Sequence, residues 1–169
     1  IYKLWPTLSL TLAVTSRFNG HLNKQGWFKK LPFTRGEETR FEDGKPSIER
    51  KWHKNGQLYK EIHYKYFKRH GIHKGWHMNG QRQWLCTFVD GKKEGKYEGW
   101  HSNGNPSWLC AYKRGKLVGE YISWFPNGKM HVRCFYDCGD LHGTFSTWKS
   151  NGELTKKEEY DQGRVIVEK

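Results

Sequence analysis

The sequence predicts a mainly β fold: an elongated, single-layer antiparallel sheet of stacked β-hairpin repeats, with a short N-terminal helical segment. Two observations carry the sheet. Trp52, Trp76, Trp100, Trp124 and Trp148 stand 24 residues apart, and each is followed three and four residues later by Asn-Gly, from Asn55-Gly56 to Asn151-Gly152. A fixed period of this length marks an array in which one supersecondary unit stacks on the next. The second observation is that the rest of the period keeps the same phase. Glycine recurs at Gly71, Gly95, Gly119 and Gly143, and an aromatic at Tyr64, Phe88, Tyr112, Tyr136 and Tyr160. A second glycine follows at Gly91, Gly115, Gly139 and Gly163.

The elements follow in chain order. Residues 1–26 form an N-terminal segment. Leu4, Leu8 and Leu12, and then Leu10, Val14, Phe18 and Leu22, lie at i, i+4 spacing, which predicts a helix over 4–22. Pro6 suits its first turn and Asn19-Gly20 its end. The competing reading is a strand, in which Leu8, Leu10, Leu12 and Val14 alternate with Ser9, Thr11 and Ala13. Ile1, standing where an initiator methionine belongs, leads to the expectation of a longer natural chain. Residues 27–48 read as a degenerate repeat whose Phe41-Glu42-Asp43-Gly44-Lys45 echoes the later turns. Residues 49–169 are the array.

Within the array, Asn-Gly between short runs predicts a type I′ hairpin turn, which needs positive φ at both central residues. Asp90-Gly91 and Arg114-Gly115 then join hairpin to hairpin. Phe67 stands where the turn glycine belongs, so the connection through 67–70 is expected to be irregular. Along the second strands, Trp84, Cys86 and Phe88 oppose Gln83, Leu85 and Thr87. Trp108, Cys110 and Tyr112 repeat the pattern, as do Val132, Cys134 and Tyr136. Two strands per repeat set equivalent residues roughly 10 Å apart, and five repeats give a sheet on the order of 50 Å long.

Composition fits a thin sheet. Hydrophobic residues make up 35% of the chain and mean hydropathy is −0.97, too polar for a thick core. Aromatics, at 16%, supply the burial instead. No run reaches the 18 or more apolar residues of a membrane-spanning helix. The net charge of +13 is unevenly placed: +3 over residues 1–49, +11 over 50–116 and −1 over 117–169. Lys92, Lys93, Lys113, Arg114 and Lys116 fall on successive connecting turns and are expected to form a basic band. Such a band suits an acidic partner. It equally suits the plainer task of keeping a β-edge from pairing with other chains, for which lysine is the usual device.

No catalytic motif stands out, so the chain reads as a binding protein with no catalytic residues, cofactor or metal. His53, His77 and His101 each follow a repeat tryptophan. Their spacing is too wide for a shared metal, and a file of surface histidines that charges below pH 6.5 fits better. Cys86, Cys110 and Cys134 share one repeat position, too far apart for a disulfide. Reduced cysteines point to an intracellular location and against secretion. The tryptophans Trp52, Trp76, Trp100, Trp124 and Trp148 read as the structural core of the repeat, because a packing role is needed in every unit and a binding role is not.

These residues resemble the MORN-repeat family over roughly 49–163, in particular its variant with a W-x-x-N-G core and a turn like Tyr112-Lys113-Arg114-Gly115-Lys116. Tyr97-Glu98-Gly99-Trp100 is similar to the family's Y-x-G-x-W element. The resemblance implies a single-layer sheet used for contact with protein or lipid. Leu12-Ala13-Val14-Thr15-Ser16-Arg17-Phe18, with Leu22 and Trp27-Phe28-Lys29-Lys30-Leu31, is similar to the end of an F-box. That pairing with MORN-like repeats resembles proteins of large DNA viruses of amoebae. It implies that residues 4–31 dock on a cullin-adaptor protein while the repeats hold a target, in a host cytoplasm or a virion; the alternative is that this helix merely caps the first hairpin, since arrays need their end covered. The expected function is a non-enzymatic interaction scaffold for a protein with an acidic surface. The alternatives are a structural component bound to other virion proteins and a peripheral binder of anionic lipid. Nucleic acid remains open as an acidic partner.

Overall fold

The computed structural model describes residues 20–22, 27–30 and 36–168. The regular structure among them is β throughout. In chain order the strands are β1 (Gly20–Leu22), β2 (Trp27–Lys30), β3 (Glu37–Glu42), β4 (Lys45–Trp52), β5 (Leu58–Lys65), β6 (Lys68–Arg69), β7 (Gly71–Trp76) and β8 (Arg82–Val89). They continue as β9 (Lys92–Trp100), β10 (Pro106–Lys113), β11 (Lys116–Trp124), β12 (Met130–Asp137), β13 (Asp140–Leu141), β14 (Gly143–Trp148), β15 (Leu154–Asp161) and β16 (Arg164–Glu168). Fourteen of them form one antiparallel path in sequence order, and β6 and β13 pair with β5 and β12 beside it. The predicted sheet of stacked hairpins is therefore the observed fold. The predicted helix is corrected at its end, where Gly20–Leu22 is a strand paired with β2. The rest of that helix lies outside the described residues.

The turn chemistry is also corrected. Type I′ geometry belongs to the connecting turns, not to Asn-Gly. Both central residues have positive φ at Asp90-Gly91 (47° and 86°), Arg114-Gly115 (50° and 86°), Cys138-Gly139 (49° and 103°) and Gln162-Gly163 (45° and 79°). At the Asn-Gly sites only the glycine does. There the backbone makes a three-residue loop. Gly104 N–H donates to His101 O (2.9 Å) and His101 N–H to Asn105 O (2.8 Å). This is a type I turn closed by a left-handed glycine, the second commonest hairpin loop. The asparagine is chosen for its side chain: Asn103 Oδ1 accepts from Asn105 N–H at 3.1 Å. At Phe67 the turn itself is regular, while the strand that follows it is interrupted at His70. Tyr66 and Phe67 take φ of 49° and 64°, so a glycine-free turn adopts the geometry of its neighbours.

Alternation splits the sheet into two faces. On one face a file of small or apolar residues is buried: Ile62, Cys86, Cys110 and Cys134. Tyr97 stands opposite both Cys86 and Cys110, and Tyr121 opposite Cys134. On this face Gly99 lies between Trp84 and Trp108 in register. A methyl group on Gly99 would fall inside the Trp108 indole, and one on Gly75 inside the Trp84 indole. The next repeats hold the complementary pair in reverse, with Ser123 opposite Val132 and Thr147 opposite Lys156. Within a hairpin, therefore, a large ring goes with glycine and a smaller side chain with serine or threonine.

The two long edges are tied from repeat to repeat. On the loop edge, the Asn55, Asn79, Asn103 and Asn127 amides donate to Met78, Ser102, Pro126 and Ser150 carbonyls at 2.6–2.9 Å. On the turn edge, Gly91, Gly115, Gly139 and Gly163 N–H groups donate to Arg69, Lys93, Leu117 and Leu141 carbonyls at 2.8–2.9 Å. The array is thus bonded laterally at its strands and at both borders.

His73 occupies the position that holds Tyr97, Tyr121 and Phe145 in later repeats. It is 1% exposed, stacks on Phe88 with centroids 4.5 Å apart, and donates from Nε2 to His63 O at 2.9 Å. Burial is the main force lowering its pKa, to about 4.

Two expected outcomes follow from this packing. Gly99→Ala destabilises by about 1–3 kcal/mol in chemical denaturation, as overpacking does. The double variant Gly99→Ser, Trp108→Val, which copies the next repeat, recovers most of the loss. Additive losses would show that the ring and the glycine are not coupled. The second outcome concerns pH. The native state holds His73 neutral, while the unfolded chain protonates it near its ordinary value of 6.5. Stability is therefore full above pH 6.5 and declines as pH falls toward 4, by on the order of 3 kcal/mol in all. Replacing His73 by Tyr flattens that part of the profile, and an unchanged slope in thermal melts would contradict it.

Candidate functional site

The exposed cations concentrate on the turn edge, and their placement follows from the hairpin geometry. A two-residue turn turns its central residues out past the last ladder pair, so side chains there meet solvent. Lys113 and Lys116 flank the Arg114-Gly115 turn as a cross-strand pair, and Lys92 pairs with Val89 at the preceding turn. All four basic residues, Lys92, Lys113, Arg114 and Lys116, are exposed, and none forms an ion pair among the described residues. Lys92 lies against the Gly115 turn and Lys116 against the Gly139 turn, so the row is continuous across repeats. Arg114 is pinned from behind, because its N–H donates to Glu94 Oε2 at 2.7 Å.

Lys93 does not join that row. Its ammonium lies 4.2 Å from the Tyr97 ring centre and 4.6 Å from that of Tyr112, on the aromatic face. Arg69 takes the same position one repeat earlier, 5.5 Å from the Phe88 ring centre. Leu117 and Leu141 take it in later repeats, opposite Tyr112 and Tyr136. Position, not charge, decides its direction: it stands opposite Phe88 in the ladder and so shares the face of Phe88.

Part of the net +11 over residues 50–116 is neutralised on the opposite face. Glu61 is 9% exposed and accepts from Arg50 Nε at 2.7 Å. His63 Nε2 lies 3.0 Å and Lys74 Nζ 3.9 Å from the same carboxylate. Burial raises the Glu61 pKa, but the bonds to His63 and Arg50 outweigh it and hold the carboxyl below its ordinary value. Further cations are paired on the face of Ile62, where Lys51 reaches Glu37 at 2.8 Å and Lys60 reaches Glu49 at 3.4 Å. Among the described residues of 50–116, most exposed cations outside ion pairs stand at the turns.

The edge changes sign along its length. The two turns beyond Lys116 carry Asp137, Asp140 and Asp161, which with Cys138, His142 and Gln162 line a groove of about 350 Å³. This boundary was legible in the −1 charge of residues 117–169, but its concentration on one edge required the turn register.

The histidine file is structural. His53, His77 and His101 each donate from Nε2 to the carbonyl of the next repeat's tryptophan, Trp76, Trp100 or Trp124, at 2.8–2.9 Å. The acceptor fixes Nε2 as the protonated nitrogen. Phe125 and Lys149 replace histidine in the last two units. The repeat tryptophans Trp52, Trp76, Trp100, Trp124 and Trp148 are half-buried at strand ends beside these loops. Between Trp76 and Trp100 runs a groove of about 490 Å³, lined also by Gly80, Gln81, Arg82 and Gly104. Arg82 closes part of it, 5.9 Å from the Trp100 ring centre. Among the described residues no group of His, Cys, Asp and Glu side chains is arranged to hold a metal. Burial pushes the Cys86 and Cys110 thiols up to about 11, so both stay protonated and are poor nucleophiles.

No curated protein matches the chain. Among solved structures, a TarM mutant of S. aureus in complex with Fondaparinux, alpha-GlcNAc-glycerol and UDP is 10% identical over 83% of this chain and 24% of that chain, with a TM-score of 0.36. A second TarM crystal structure is 12% identical over 90% of this chain and 24% of that chain, with a TM-score of 0.31. The chain spans about a quarter of the length of these proteins, and likeness at that level carries no argument about fold or function. The family comparison is more informative. The MORN repeat variant matches residues 46–66 and 117–137. Each match covers one hairpin, from β4 into the turn after β5 and from β11 to β12, so at two places in the array the hairpin is similar to a MORN repeat variant.

Proposed function

We propose that this chain is a non-enzymatic repeat scaffold that binds an acidic protein surface along its turn edge. The observation that supports this most is the row of Lys92, Lys113, Arg114 and Lys116: exposed, without ion pairs among the described residues, and mounted on turns that the neighbouring repeats hold in place. Proteins built of MORN repeats commonly act as scaffolds for protein or membrane, which agrees with this reading. A rigid edge with positive charge at a spacing of about 10 Å is already organised for a partner, so little ordering cost attaches to binding. The F-box-like stretch over residues 4–31 lies largely outside the described residues. Its sequence supports an adaptor role, in which that segment meets a cullin adaptor and the array holds the target.

Neutralising Lys92, Lys113, Arg114 and Lys116 together is expected to weaken retention of the partner in quantitative affinity purification of the full chain. It should also flatten the dependence on salt, because such charges are screened over roughly 8 Å at physiological ionic strength. Thermal stability should stay within about 0.5 kcal/mol, as for exposed surface substitutions. Lys93→Ala is the contrasting control. It removes contacts with two rings, so it lowers stability by about 0.5–2 kcal/mol and leaves the salt dependence of binding unchanged. Unaltered binding and salt dependence in the fourfold variant would reduce the basic row to a device against aggregation.

A further inference from the structure

The turn at Tyr66-Phe67 shares the backbone geometry of the other described turns on its edge but not their residues. The other described connecting turns place glycine second, at Gly44, Gly91, Gly115, Gly139 and Gly163. Here Phe67 holds φ of 64° and Tyr66 holds 49°. A left-handed conformation costs a residue with a β-carbon about 1–2 kcal/mol, and bulky side chains are outliers there. The strain is not repaid by burial. Tyr66 and Phe67 are 68% and 65% exposed, the highest values among the large hydrophobic side chains described. Strain kept at an exposed position points to a role outside the fold.

The surroundings are organised. Lys65 and Lys68 face each other across the turn as its closing ladder pair. The ammonium groups of Lys45 and Lys65 lie 5.0 and 5.7 Å from the Tyr66 ring centre, which braces that ring and leaves Phe67 at the tip. The result is a protruding aromatic with cations at its base. Its complement is an apolar recess with acidic residues around the mouth.

A uniform polyanion fits less well. Asp43 and Asp90 occupy the first central position of the turns on either side, the position Tyr66 has here, and both are exposed. A flat anionic membrane or a nucleic-acid strand following the edge would meet those carboxylates at the same height, roughly 10 Å to each side. A partner whose acidic groups are confined to the mouth of one recess avoids them.

We propose that the Tyr66-Phe67 turn is the aromatic anchor of the partner interface. It would insert Phe67 into an apolar recess of an acidic protein segment, with Lys65 and Lys68 meeting carboxylates at the rim. This rests on the proposal that the turn edge binds an acidic protein, and it names the residue that fixes the partner's position. Buried aromatics at the centre of an interface with charged neighbours are where binding energy concentrates.

The test uses Phe67→Gly, which restores the glycine of the other turns. The full chain is used to select binders from a displayed library of random dodecapeptides. The leading peptide is then titrated against wild type, Phe67→Gly, Phe67→Asn and Lys65→Glu with Lys68→Glu. The expected leads are acidic and carry apolar residues. Phe67→Gly is expected to bind about thirty-fold more weakly while melting about 2–4 °C higher, from relief of the backbone strain. Phe67→Asn, which also tolerates the left-handed region, should lose binding in the same way. A purely structural role for Phe67 would move both quantities together or leave binding untouched. The proposal is overturned if no acidic, apolar peptide is enriched, or if Phe67→Gly binds the lead as wild type does. It is also overturned if the dependence on Phe67 appears instead with phosphatidylserine-containing vesicles or oligo(dT). Loss of binding only on neutralising Lys92, Lys113, Arg114 and Lys116 would remove the anchor and leave the basic edge. Loss in neither would remove both.

Discussion

Lateral hydrogen bonding between repeats is the interaction on which the rest of this structure depends. A sheet one layer thick has no second layer to pack against, so a hairpin on its own is marginal in water. Each unit must therefore find its partners in the units beside it. The strands supply one set of bonds and the borders supply two more: asparagine and histidine side chains on the loop edge, and turn-glycine amides on the other. A two-residue turn leaves its second amide free of the hairpin's own ladder. Here that amide reaches the carbonyl just past the preceding turn, so the turns are stacked and not loose.

Burial is arranged under the same restriction. The buried file on the aromatic face is made of small side chains, Cys86, Cys110 and Cys134, roofed by tyrosine and tryptophan rings from adjacent strands. Trp108 can lie flat on the backbone only because Gly99 has no side chain. Where serine or threonine stands instead, valine or lysine replaces the ring as its partner in the same hairpin. Thickness is thus traded against ring size repeat by repeat, which explains how a chain of such low hydropathy holds a continuous sheet.

The period, the hairpins and the alternation of Trp84, Cys86 and Phe88 were legible in the sequence, because every repeat needs the same residue at the same point. The turn types were not. Asn-Gly suits both a two-residue and a three-residue loop, and the choice rests on where the asparagine side chain finds partners: its own loop and the next repeat. The basic row was legible as composition and phase. The direction of Lys93 was not, since it depends on which face its ladder partner Phe88 occupies. The bonds of the histidine file were not legible either, because sequence spacing gives neighbours within a strand but not carbonyls one repeat away. Phe67 was visible as an exception, yet its meaning came only with its backbone angle and exposure.

The turn edge is only as ordered as the bonds beneath it. Amide hydrogen exchange at Gly91, Gly115, Gly139 and Gly163, resolved by NMR on the full chain, tests that most directly. Turn amides exposed to water exchange at nearly the rate of an unfolded peptide. With bonds of 2.8–2.9 Å to the preceding repeat, these four are expected to be protected like interior strand amides and to open together with them. Exchange at unprotected rates, with the strands still protected, would mean that the turns are free of one another and that the edge is not a preorganised surface.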